Sequence, residues 1–122
     1  MLKHTRVKGN KARWECMKEL RKIGWLVDVV EKTGRFIKVK DLFGLFDLLC
    51  LKSISDFPST FTRVLLVQVT CNKPHVHTPL AEFKKQFPEL LIRQYVRMDG
   101  GNFKIWSYEA DGKWRRIDRK RE

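Results

Sequence analysis

The heptapeptide VLLVQVT at residues 64–70 constrains the fold more than any other stretch of the sequence. Its first four residues are apolar, so a strand built from it has apolar side chains on both faces until it reaches Gln68. A strand of that kind is typical of the centre of a sheet that is covered on both sides. The sequence therefore predicts an α/β fold in which helices flank a mixed central β-sheet.

Helical patterns occur on both sides of this strand. Ala12, Cys16 and Leu20 form one apolar stripe of a helix predicted at residues 8–23. A second helix is predicted to begin with Thr78 as its cap and Pro79 in its first turn, and to end at about residue 87. Further strands are predicted at residues 25–30, 45–51 and 90–98, a loop at residues 52–62, and a final hairpin that turns at residues 111–112.

Length and charge narrow the class of protein. The chain has 122 residues, which predicts one domain over residues 1–122, with a core at about 8–118 and basic, flexible ends. Lys and Arg number 26 against 14 Asp and Glu, for a formal net charge of +12. Such an excess is typical of proteins that bind a polyanion, and nucleic acid is the expected partner. The alternative is that the charge serves solubility alone.

Cysteine usage and hydropathy bear on the cellular compartment. The three cysteines are scattered and odd in number, so no disulfide framework is expected. The first ten residues lack the apolar core of a signal peptide, and the longest apolar run, residues 42–51, is shorter than the ~20 residues of a membrane span. We therefore expect a reduced, soluble, cytoplasmic protein with no membrane partner.

Asp47 interrupts an otherwise apolar segment. It lies in FGLFDLLCLK, residues 43–52, where a buried carboxylate is costly unless its charge is compensated. Gln68 and Thr70 point to one face of their strand, so pairing of the two strands would bring the three polar groups together. Carboxylate and amide oxygens suit Mg²⁺ or Mn²⁺, which would offset the cost. The alternative is that Asp47 follows a turn at Gly44 and is solvated.

The chain resembles the PD-(D/E)XK nuclease superfamily, which has the restriction-endonuclease-like fold. The resemblance lies in the order of its segments: helix, strand, xxxFDLLCL, loop, LLVQVT, helix, strand and terminal hairpin. In size and order the chain is most similar to small archaeal Holliday junction resolvases and to short phage-type relatives, over roughly residues 8–118. The resemblance implies a DNA endonuclease that hydrolyses phosphodiester bonds with Mg²⁺ or Mn²⁺. It also implies branched or otherwise structured DNA as the substrate and a homodimer with two sites.

The resemblance assigns roles to individual residues. Asp47 takes the place of the family's metal-binding Asp and Gln68 that of its second acid, so these two would hold the metal. Thr70 stands where the family usually has a catalytic Lys. A Thr hydroxyl carries no positive charge, so Lys73 or Lys52 becomes the candidate for the missing ammonium.

Two points remain open in this assignment. The family's helical Glu corresponds to Glu15, with Glu19 as the competing register. Because Thr70 replaces the Lys, a catalytically inactive nucleic-acid-binding module on a nuclease scaffold is the main alternative function. An RNA-binding protein is a third, supported only by charge and aromatic content, since the sequence has no RNA-binding signature.

Basic residues are concentrated at three places: the N-terminal segment, the segment before the Asp47 strand, and the C-terminus. Lys and Arg in such clusters contact phosphates and position a nucleic acid without reading its sequence. The residues assigned to DNA binding are Lys8, Lys11, Arg13, Arg35, Lys38 and Lys40.

Two further groups of residues have both a functional and a structural interpretation. Cys71, His75 and His77 suggest a zinc site, but a structural zinc usually takes four ligands, so this interpretation is disfavoured. The four tryptophans are predicted to pack in the core or on the sheet rather than to stack on bases.

Overall fold

The computed structural model describes residues 2–30, 32–33, 38–39, 42–56 and 58–118. Two helices and eight strands lie in these ranges. The helices are α1 (Leu2–Lys22) and α2 (Thr78–Gln86), and the strands are β1 (Leu26–Val29), β2 (Lys32–Thr33), β3 (Lys38–Val39), β4 (Leu48–Asp56), β5 (Ser59–Cys71), β6 (Leu91–Arg97), β7 (Phe103–Tyr108) and β8 (Trp114–Arg116).

Six of the strands form one mixed sheet in the order β1-β4-β5-β6-β7-β8. All neighbouring pairs are antiparallel except β5 and β6, which are parallel. A parallel pair needs a crossover connection, and α2 supplies it between these two strands. The predicted α/β class with a mixed sheet is therefore confirmed. The short strands β2 and β3 pair with each other in a separate ladder.

A helix covers each side of this sheet. Cys16 and Leu20 of α1 pack on one face, against Leu65 and Val67 of β5. Leu80 of α2 packs in the cluster on the other face, with residues of β5 and β6. We refer to these as the α1 face and the α2 face of the sheet. The prediction that β5 is central and apolar on both faces is confirmed, because its successive side chains alternate between the two clusters.

The predicted loop at residues 52–62 is wrong. β4 continues to Asp56 and β5 begins at Ser59, so this segment is a β-hairpin that extends the two central strands. Its Ser and Thr residues suggested a loop, yet they lie opposite one another across the hairpin, as in the pairs Ser53↔Thr62 and Ser55↔Thr60. Cross-strand hydroxyl pairs of this kind stabilise a sheet.

The helix limits also differ from the predictions. α1 begins at Leu2, in the segment expected to be a flexible end. Thr78 is the first residue of α2 rather than its cap, since His77 occupies the N-cap position without a capping side-chain hydrogen bond. Pro79 lies in the first turn, as predicted.

The C-terminal hairpin turns where predicted. Gly112 has a φ of +90°, a left-handed conformation that glycine adopts without a steric cost. Asp111 Oδ1 accepts a hydrogen bond of 3.0 Å from the Lys113 backbone N–H and closes the turn between β7 and β8. Within the described ranges, neither helix is long and apolar enough to cross a membrane.

This packing predicts unequal effects of two leucine truncations in urea unfolding. Leu65 is fully buried on the α1 face and Leu26 of β1 is 70% exposed. Leu65→Ala is expected to lower the free energy of unfolding by about 2–5 kcal/mol, because it leaves a cavity in the core. Leu26→Ala is the control and is expected to cost less than about 1 kcal/mol. Equal effects of the two substitutions would contradict the assignment of β5 to the centre of the sheet.

Candidate functional site

Asp47 lies immediately before β4 and is half-buried. Its backbone N–H donates to the Val67 carbonyl at 2.8 Å, so Val67 directs its polar backbone groups toward β4. Val69, two residues on, points its N–H the same way, but the ladder with β4 ends at the pair Leu48↔Val67. At that position the Asp47 carboxylate replaces a backbone carbonyl as the acceptor, since Asp47 Oδ2 accepts a hydrogen bond from the Val69 N–H at 2.8 Å. Asp47 thus extends the ladder with its side chain.

Gln68 also links β5 to the segment before β4, from the α2 face of the sheet. Its Nε2 donates to the Leu45 carbonyl at 3.1 Å, and its Oε1 accepts from Gln94 Nε2 at 2.8 Å. It shares the α2 face with Leu66, two residues earlier. The Asp47 side chain bonds to β5, and the Gln68 side chain of β5 bonds to the backbone of residue 45, in the segment before β4. The predicted pairing of the two strands is present, and these two side chains lie at the same corner of the sheet.

Gln94 of β6 completes a chain of buried amides that sequence reasoning missed. It lies directly beside Gln68 in the parallel register and is fully buried. Its Nε2 also donates to the His75 carbonyl at 3.3 Å. Because the carbonyls of Leu45 and His75 only accept hydrogen bonds, the orientation of both amides is fixed by this chain. The signal was a Gln that shares one face of the strand LIRQYVR with Ile92 and Val96.

The amide oxygen of Gln94 differs from the other polar atoms of this chain of amides. Gln94 Oε1 is a buried acceptor with no hydrogen-bond partner among the described residues. Such an atom costs about 1–3 kcal/mol and is uncommon in native proteins. It is a hard oxygen next to Gln68, and its chemistry suits a water molecule or a cation.

Thr70 and Lys73 form the turn that follows β5. Thr70 is 4% exposed, and its Oγ1 donates to the Lys73 backbone carbonyl at 2.9 Å. Asn72, between them, has a φ of +67° and donates its N–H to the Arg97 carbonyl at 2.7 Å. Thr70 therefore holds the backbone of this turn, while the Lys73 side chain is exposed.

The other lysine considered for the site, Lys52, is directed elsewhere. Its Nζ donates to the Ile23 carbonyl at 2.7 Å and lies 4.7 Å from the centre of the Trp25 ring. The five residue steps from Asp47 to Lys52 span roughly 17 Å of extended chain. Lys52 closes the C-terminal end of α1 rather than approaching Asp47.

Glu15 lies on the opposite face of the sheet from Gln68. It forms a two-point ion pair with Arg97 of β6, from Nε to Oε2 and from Nη2 to Oε1 at 3.2 Å. Arg97 follows Tyr95 by two residues, and Tyr95 belongs to the cluster on the α1 face. The hydrogen bond from Arg97 lowers the pKa of Glu15. Glu19, the competing residue, is exposed on α1.

The predicted DNA-binding residues are described only in part. Lys11 is exposed on α1 and Arg13 is half-buried there. Lys8 and Lys38 belong to α1 and β3, and their side chains lie outside the described part of the chain. Arg35 and Lys40 lie wholly outside it.

His77 belongs to an aromatic cluster beside the amide chain. Its Nδ1 shares a hydrogen bond of 2.6 Å with the Tyr108 hydroxyl, and its ring centre lies 4.7 Å from that of Trp106 and 5.0 Å from that of Trp114. Burial lowers the pKa of His77 and raises that of Tyr108, and both shifts favour the neutral forms. Within the described part of the chain, no group of three His, Cys, Asp or Glu residues is arranged to hold a metal ion.

Comparison with known proteins adds no assignment. No protein-family model matches the chain, and a search of curated proteins finds no significant similarity.

The bond from Val69 to Asp47 predicts a measurable contribution to stability. In EDTA, Asp47→Ala is expected to lower the free energy of unfolding by about 1–3 kcal/mol, because it leaves the Val69 N–H without its acceptor. Asp47→Asn keeps an acceptor oxygen and is expected to cost less. Asp28→Ala is the control, since the exposed Asp28 carboxylate accepts a hydrogen bond from the N–H of its own neighbour, Val29. Urea unfolding measures all three, and an Asp47→Ala variant as stable as wild type would contradict the assigned role.

Proposed function

We propose that this domain is a metal-dependent endonuclease that hydrolyses phosphodiester bonds in DNA. One observation carries the proposal: the Asp47 carboxylate and the Gln68 amide bridge the same corner between β5 and the segment before β4. The order of elements supports it, because α1, β1, β4, β5, α2 and β6 follow the helix, three strands, helix and strand of the PD-(D/E)XK resemblance. The corner also lies toward the carboxyl ends of the parallel strands β5 and β6, where α/β sheets commonly bind ligands.

The donor set at this corner suits a hard divalent cation. Asp47 supplies a carboxylate, and Gln68 supplies an amide oxygen that accepts one hydrogen bond from Gln94 and keeps a second lone pair for an ion. Oxygen ligands of these two kinds are the ones that Mg²⁺ or Mn²⁺ prefers. Gln94 Oε1 adds a buried, unpaired oxygen beside Gln68. In the proposal Asp47 and Gln68 hold the ion, which when bound would activate water and stabilise charge on the phosphate. The hydrogen bond from Val69 keeps the carboxylate in place without the ion.

Lys73 is the proposed source of positive charge at the site. It lies in the turn directly after β5, and Thr70 fixes its backbone. In the proposal its exposed side chain attracts the phosphate that binds at the Asp47–Gln68 corner. The formal net charge of +12 supports DNA as the substrate, since phosphate contacts dominate affinity for nucleic acids. The resemblance to junction resolvases extends the proposal to branched DNA and to a homodimer.

A binding module without catalytic activity is the second candidate, and two contacts favour it. Thr70 carries no positive charge, and its buried hydroxyl is engaged with the Lys73 carbonyl, so it does not replace the catalytic Lys. Glu15 is paired with Arg97 across the sheet from Gln68. In a binding module the polar groups at the corner would serve stability alone.

A cleavage assay separates the two candidates. Supercoiled plasmid and a four-way junction are incubated with the protein in Mg²⁺, in Mn²⁺ and in EDTA. Nicking that requires the metal is expected, and Asp47→Asn is expected to reduce it at least about 100-fold, the scale on which positioned catalytic groups act. Asp28→Asn is the control, because it removes an exposed acid of β1 with the same change in charge.

The outcomes are distinct. DNA that is shifted on a gel but never cut, under any of these conditions, would support the binding module. Nicking that survives Asp47→Asn unchanged would contradict the assigned metal site.

A further inference from the structure

We infer that Trp114 is a stacking platform for an unpaired nucleobase, so that the proposed site selects nucleic acid with an unpaired nucleotide beside the phosphate it binds. The choice of nucleic acid as the partner rests on the proposed function, whereas the Trp114 surface lies outside the Asp47–Gln68 corner.

Trp114 is the outer member of a supported aromatic stack. Its ring lies nearly parallel to that of His77, at 26° and 5.0 Å between centres. His77 is fixed from behind by the hydroxyl of Tyr108, which is 2% exposed, and by the ring of Trp106. A ring that is already held loses little freedom when a ligand stacks on it, which favours binding.

The outer part of this stack is open. Trp114 is 42% exposed although His77 covers one side of its ring. Every nucleobase has an apolar face that stacks on such a ring, and stacking of this kind does not depend on base identity. The bases inside an intact duplex are stacked on both neighbours, so away from the duplex ends only an unpaired base can use the platform.

Charge complementarity selects nucleic acid over other aromatic ligands. Trp114 and Arg116 point to the same face of β8, because their partners across the ladder are two residues apart on β7. The Arg116 guanidinium lies 5.6 Å from the centre of the Trp106 ring, although it also pairs with Asp118. The exposed Lys85 of α2 lies beside the turn that precedes β8. An aromatic ring beside cations is the arrangement that binds a single strand, with the cations on the phosphates and the ring under a base.

The platform lies close to the proposed catalytic corner. Gln68, Gln94 and Trp106 are direct neighbours on adjacent strands. Two strand spacings separate Gln68 from Trp106, which is roughly 10 Å. His77 then links Trp106 to Trp114. A strand whose phosphate lies at Gln68 therefore has a nearby nucleotide within reach of Trp114.

Binding in EDTA tests the platform without any cleavage. The probes are a fully paired duplex, a duplex with splayed, unpaired ends, and the same splayed DNA with abasic sites in the unpaired arm. Wild type is expected to prefer the splayed DNA with bases. Trp114→Ala is expected to weaken that affinity roughly 5- to 150-fold, the factor that corresponds to about 1–3 kcal/mol for one stacked base. Its affinity for the paired duplex is expected to stay unchanged.

Two variants control for indirect effects. Trp114→Phe keeps an aromatic ring and is expected to retain most of the preference. Trp14→Ala removes a tryptophan that is 58% exposed on α1 and is expected to change neither affinity. Thermal unfolding of each variant establishes that it is folded.

Several results would overturn the inference. Equal affinity of wild type for the paired and splayed DNAs would do so and would leave the proposed nuclease intact. An equal loss on both DNAs in Trp114→Ala, or a preference that survives abasic substitution, would likewise contradict stacking. Absence of binding to any of the DNAs would contradict both the platform and the proposed function.

Discussion

Burial of both faces of β5 is the constraint on which the rest of this structure depends. Leu65 and Val67 point to α1, and Leu66 between them points to the side that α2 covers. Because a fully buried aliphatic side chain contributes about 1.5–3 kcal/mol, the strand is stable only with a helix on each side. The crossover through α2 then places β6 parallel to β5. The polar residues Gln68 and Thr70 follow where the apolar run of β5 ends.

The polar groups at that end each have a structural partner, and this limits the chemistry they can do. Thr70 is engaged in a turn and Glu15 in an ion pair on the other face. Asp47 and Gln68 also have partners, the Val69 N–H and the Leu45 carbonyl, which hold the two side chains at one corner. The hydrogen bond that makes burial of Asp47 tolerable also holds its carboxylate in place, so stability and the proposed chemistry depend on the same contact.

The sequence predicts well those features that depend on local pattern. The central position of β5 follows from four consecutive apolar residues, and the last turn follows from Asp111-Gly112. The hairpin of β4 and β5 was missed because Ser and Thr are common in loops, and only the cross-strand register shows that they pair.

Contacts between distant segments were beyond sequence reasoning. The acceptor role of Asp47 depends on where the ladder between β4 and β5 ends, which no local pattern encodes. The partner of Glu15 is Arg97, 82 residues away. Gln94 gave a signal as a polar residue on an otherwise apolar strand face, but its role depends on the register that places it beside Gln68.

Paramagnetic broadening by Mn²⁺ tests the central claim, that Asp47 and Gln68 share one cation, most directly. In a ¹⁵N-resolved NMR spectrum, substoichiometric Mn²⁺ is expected to broaden the side-chain amide of Gln68 and the backbone amide of Val69 first. The amide of Gly112, in the turn of the last hairpin, serves as the reference that should stay sharp. Asp47→Asn should abolish the selective effect. Broadening that is uniform, or that leaves Gln68 and Val69 unaffected while other amides broaden, would contradict the account.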